Sequence, residues 1–130
     1  MRFMTFIKSK ESSSAGPPPA SLFAALAQLG SEAGRAGALI DTGGLSPTAL
    51  GARVRLEAGS ISTSDGPFGG SQEVIGAYAL FDVPSKEEAV EWARRFMAVH
   101  QEHWTGWEGE TEVRQLLPAQ PQAKGETPRA

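Results

Sequence analysis

Residues 76–83, GAYALFDV, constrain the fold more than any other stretch. Apolar side chains fall on both parities of this run. A half-exposed strand alternates, whereas a strand covered on two faces does not, so this one belongs in the middle of a sheet. It is followed at once by Ser85-Lys86-Glu87-Glu88. That is a capping box, with a serine cap and a glutamate three residues on. Ala89, Trp92, Ala93, Phe96 and Met97 then recur at i, i+3, i+4, i+7 and i+8. The spacing predicts an amphipathic helix reaching about Trp104. A central strand that runs straight into such a helix needs the helix to cover one sheet face.

The other segments fit around this pair. Phe3, Met4, Phe6 and Ile7 predict a buried strand over 2–9. The following SKESSSAGPPPA is a loop, because its prolines and serines neither extend a strand nor fill a helix interior. Ser21 reads as an N-cap for a helix reaching about Ala36, with Leu22, Phe23, Leu26, Leu29 and Ala33 at helical spacing. Gly30 and Gly34 weaken that helix, and close packing against a sheet is a reason to accept them. Gly37 ends it.

ALIDTGGLS predicts a strand over 38–45, with its glycines marking a bulge or bend. ARVRLEAGSISTS is a hairpin turning at Ala58-Gly59, with Val54 and Leu56 on one face and Arg53 and Arg55 on the other. One apolar and one charged face make it half-buried at most. ETEVRQLL is the last strand, and residues 118–130 read as a disordered polar tail.

Two βαβ units therefore flank an inserted hairpin. Right-handed crossovers put both helices on one face of a single antiparallel sheet. The expected fold class is α+β, a ferredoxin-like sandwich with an inserted β-hairpin. Nothing in the chain covers the second sheet face. A second copy would, giving a homodimer with two sheets packed into a closed α/β barrel.

Bulk composition excludes several function classes. The 130 residues suffice for one domain, 1–117 here. With no cysteine, disulfides, thiolate catalysis and Cys-ligated metal are out. A formal charge of −3 leaves no basic surplus for nucleic acid. No apolar run is long enough to cross a membrane, and the N-terminus lacks signal-peptide features, so a cytoplasmic location is expected. GGLSPTALG lacks the lysine and spacing of a phosphate loop, and no cofactor is expected.

The candidate site residues start at Asp65-Gly66-Pro67-Phe68. One reading is a turn, with Asp65 bonding backbone amides ahead of it and Gly66 supplying an unusual φ. The other makes Asp65 a carboxylate at a pocket mouth, its pKa raised by Phe68 and apolar surroundings, acting as a general base. Phe68 would line that pocket or pack on the partner, and Gly69-Gly70 would be mobile. Tyr78 on the central strand would donate to a ligand or sit in the core. His100 and His103 fall three apart in VHQEHW, which is not the zinc-protease spacing, so no metal is expected. Helical phase turns both toward the sheet. They would contact a ligand there, or simply favour the helix end. Trp104 and Trp107 would stack on a ligand or on a neighbouring side chain, and packing is the favoured reading.

Taken together, RFMTFIK, GARVRLEAGSISTSDGPF, IGAYALFDVPSKEEAVEWARRF and GETEVRQLL resemble, in order, segments of the YCII-related (YciI-like) family and its DGPF-domain proteins. The resemblance implies a ferredoxin-like fold and a dimeric α/β barrel. It also implies an uncharacterised function, in which shorter relatives carry a His–Asp pair in a cleft. This chain departs from the pattern twice. Gly69-Gly70-Ser71-Gln72 replaces the acid and lysine after DGPF, and no histidine lies near the first helix, so the dyad does not carry over. Two functions follow. The first is binding of a small organic molecule in a cleft near Asp65, with acid–base chemistry. The second is a non-catalytic regulatory or interaction module, which the resemblance associates with extracytoplasmic-function sigma factors.

Overall fold

A computed structural model describes residues 1–118. The expected tail, 118–130, lies outside the described residues except for Pro118. In chain order the elements are β1 (Arg2–Lys10), α1 (Ala20–Arg35), β2 (Leu39–Gly44), a short 3-10 turn (Thr48–Leu50), β3 (Ala52–Glu57), β4 (Ser60–Asp65), β5 (Glu73–Asp82), α2 (Lys86–His103) and β6 (Glu110–Gln115). Four strands form one sheet in the order β2-β5-β1-β6, with every neighbour antiparallel. This is the α+β strand order of a ferredoxin-like sandwich. β3 and β4 form a separate hairpin. No helix among the described residues is long and apolar enough to cross a membrane.

β5 lies inside the sheet between β2 and β1 and begins at Glu73, three residues before the expected start; its second face carries no helix, and Leu80 there is only half-buried. Phe3, Thr5 and Ile7 of β1 are buried beneath the helices, as is Phe81 of β5. The Ser85 hydroxyl accepts from the Glu88 amide at 3.2 Å, starting α2 where the capping box expects. Helix α1 differs from expectation at its start. Pro19, not Ser21, occupies the N-cap, with no side-chain cap bond. Extended backbone at Pro19 (φ −67°, ψ 153°) already sets the entry angle. Its end is a Schellman motif. Gly37 takes φ +73° and donates to Gly34 O, while Ala38 donates to Ala33 O.

The helix glycines do not serve close packing as expected. A Cβ at Gly34 would meet nothing within 4 Å, and one at Gly30 only a Leu39 methyl at 4.0 Å. Nor is the β2 bulge at its glycines. It falls at Ile40, between Leu39 and Asp41. The Tyr78 ring lies over Gly43, 3.0 Å from where a Cβ would stand, so a side chain there would have to push the ring aside.

The packed core is off-centre. Phe3, Ala38, Phe81, Val83 and Ala89 fill one end of the helix–sheet interface, with Trp92 stacked on Phe81. At the other end the helix-facing β5 positions shrink to Ala79 and Ala77. Glu32 on α1 pairs with Arg95 on α2, and the Arg95 guanidinium lies 4.8 Å from the Trp92 ring centre. The apolar side chains of the hairpin receive little cover from the other described residues, with Val54, Leu56 and Ile61 each more than 70 % exposed.

Because Gly34 is helical and its surroundings are open, Gly34→Ala should stabilise the protein by about 0.5–1 kcal/mol. Thermal or denaturant unfolding would read this directly, and an unchanged or lower midpoint would contradict it.

Candidate functional site

Two neighbouring hollows take in two of the candidate residues, Phe68 and His100. The first is a cleft of about 520 Å³ at the foot of the hairpin, with Phe68, Arg53, Thr48, Leu45, Leu50 and Ile75 in its wall. The second is a cavity of about 500 Å³ between both helices and the sheet. They adjoin where β2 and β5 end. Gly44 and Gly76 line the cavity, and Leu45 and Ile75, the next residues outward, line the cleft.

The cleft is built on the buried Thr48. Its amide donates to Glu11 Oε2 at 2.7 Å and its hydroxyl to Glu11 Oε1 at 2.6 Å. The same hydroxyl oxygen accepts the Phe68 amide at 3.1 Å. A hydroxyl has one proton, and the short bond to a carboxylate is the stronger use of it. Glu11 is thereby held below its ordinary pKa, chiefly by the Thr48 hydroxyl and then by its amide. Phe68 is thus positioned from beneath, while Arg53 covers its ring face at 4.1 Å from the centroid.

The turn reading of Asp65-Gly66 needs correction in its parts. Gly66 does not take a positive φ. Glycine is required there because a Cβ would stand 1.6 Å from the Thr48 carbonyl oxygen. The Gly66 amide donates to Gly51 O at 2.8 Å, which carries the hairpin ladder one pair past Ala52 and Asp65, and the peptide bond to Pro67 is cis. The positive φ values fall on Gly69 and Gly70, in a turn closed by Gln72 N to Gly69 O. Asp65 ends β4 opposite Ala52, is exposed, and lines neither hollow.

The cavity owes its volume to small residues. Ala77, Ala79, Gly76 and Gly30 stand where larger side chains would meet, and Leu22, Leu26, Leu29 and Ile7 surround them. Its aromatic wall is Phe96, Trp104 and Trp107, with His100 between them. The imidazole centre is 4.6 Å from Phe96 and 4.4 Å from Trp107. Trp104 and Trp107 stack on each other at 5.7 Å. The Trp104 indole N–H reaches Ala15 O at 3.4 Å, tying the β1–α1 loop to the far end of α2.

His100 is only 6 % exposed. Its Nδ1 lies 3.0 Å from Phe96 O, one turn back on its own helix. A carbonyl only accepts, so Nδ1 carries the proton. Burial pushes the His100 pKa down, and the Phe96 carbonyl opposes this more weakly. The ring is therefore neutral at pH 7.

The predicted site residues are not brought to one place. Phe68 is in the cleft and His100 in the cavity. Tyr78 faces the other side of the sheet and donates to Asp41 Oδ2 at 3.1 Å, which raises its pKa. His103 is half-buried on the last turn of α2, with Nε2 4.0 Å from Glu102. The described residues include no cluster of three His, Asp or Glu side chains suited to a metal. Sequence reading missed Glu11, Thr48 and the cavity itself.

Fold and hollows together define a small α+β sandwich with an apolar chamber under its helices. A YCII-related domain matches residues 1–121, and the chain belongs to that family. No curated protein matches it at a significant level.

Two outcomes follow for the Thr48 anchor. Gly66→Ala should cost about 3 kcal/mol, since the obstructing atoms are backbone, and urea unfolding would measure it. Glu11 has a lowered folded pKa, so its stabilisation is present above pH 4.5 and is lost as pH falls through the folded value. The acid limb of a stability–pH curve should therefore be shallower in Glu11→Gln than in wild type.

Proposed function

We propose that the protein binds a small organic molecule in the cavity between its helices and sheet, beside the Phe68 cleft. One observation carries this reading. A chamber of about 500 Å³, the size of ordinary small-molecule sites, is lined by apolar groups and contains one buried imidazole. Any acid–base chemistry in this reading runs through His100 rather than Asp65, because His100 lines the chamber. The DGPF segment serves as scaffold for the adjoining cleft.

The test is thermal unfolding of wild type, Ala77→Leu and Asp65→Asn against a panel of neutral apolar compounds. A ligand at 100 times its Kd should stabilise wild type by about 2.7 kcal/mol. Ala77→Leu fills the chamber and should lose the response, while Asp65→Asn should keep it. A response that vanishes with Asp65→Asn instead would move the site to the hairpin foot, and silence of wild type across the panel would overturn the reading.

A second reading rests on a separate observation. Val54 and Leu56 lie opposite Thr63 and Ile61 on one face of the hairpin, and the apolar members are exposed. The helix-free sheet face carries Met4, Phe6 and Leu80, only half-buried. These surfaces suit protein contact, first with a second copy of the chain in a homodimer and then in a regulatory or interaction role. Native mass spectrometry should give a dimer for wild type and a monomer for Leu80→Arg. A monomeric wild type would refute the pairing.

A further inference from the structure

We infer that the chamber selects a neutral, largely apolar molecule carrying one hydroxyl or N–H donor, and that His100 Nε2 accepts that donor. This rests on the reading of the chamber as a ligand site. The described residues lining it include no Asp, Glu, Lys or Arg. A charged ligand would enter without a counter-charge, at a desolvation cost that excludes it. The polar side chains are few, and two of them are already committed. Thr42 Oγ1 donates to Tyr78 O at 2.9 Å, and Trp104 Nε1 donates to Ala15 O.

His100 is different. Its single ring proton sits on Nδ1 and is taken by Phe96 O. The neutral ring therefore offers Nε2 only as an acceptor. Among the described residues no donor is bonded to it. Once a ligand covers it in an apolar chamber, such an acceptor discriminates strongly, because a molecule without a donor leaves it unsatisfied. The flanking rings of Phe96, Trp104 and Trp107 favour a flat body attached to that donor.

The test compares three probes of one shape by isothermal calorimetry on the full chain. These are 2-naphthol, a donor; 2-methoxynaphthalene, an acceptor only; and 2-naphthoate, an anion. Wild type should bind 2-naphthol about tenfold or more tightly than 2-methoxynaphthalene, and 2-naphthoate weakest. His100→Phe should retain 2-methoxynaphthalene and lose the preference, and His100→Gln, which keeps an acceptor, should restore part of it. Equal binding of the first two probes by wild type would overturn the inference while leaving the chamber a ligand site. Preference for the anion, or a preference surviving in His100→Phe, would overturn it as well. If none of the three binds, the chamber reading and the inference fall together.

Discussion

The register of β5 on β1 decides where this protein is solid and where it is hollow. Phe3 pairs with Phe81, and four residues on Ile7 pairs with Ala77. Two large side chains therefore meet at one end of the sheet, while at the other β5 offers Ile7 only an alanine. Past Ile7 the register shifts at Gly76, where the pairing resumes at Lys8 and Ile75. Helix α2 starts just after β5 and runs back over it, so Ala89 covers the packed end and His100 the open one. Close packing at the first end fixes the helices. The chamber is what they then leave uncovered.

Most of the fold was legible in the sequence because it is written in periodicity. The unbroken apolar run of β5, the Ser85 cap and the stripe from Ala89 to Met97 each report a local rule; the structure puts β5 inside the sheet and follows the cap and the stripe, while the second face of β5 stays only half-buried. Element ends were less legible. Pro19 displaced Ser21 as the cap because fixed φ did the work of a side-chain bond.

The site was far less legible, and the reasons are physical. A cavity is made by atoms that are missing, and Ala77, Gly76 and Gly30 read equally well as close packing. Thr48 and Glu11 are distant in sequence, and neither stands in a recognisable pattern, so only folding reveals their bond. Gly66 looked like a residue chosen for backbone freedom. It is chosen for the carbonyl pressed against it. His100 was correctly phased toward the sheet, but phase alone did not say that small residues would face it.

The stacked indoles of Trp104 and Trp107 have an optical consequence. Two nearly parallel rings 5.7 Å apart, inclined by 17°, do not absorb light as independent chromophores. Their coupled transitions give the near-ultraviolet spectrum a signature that depends on their mutual geometry. Both rings border the chamber, so the molecule carries its own dichroic gauge of what lies beside His100.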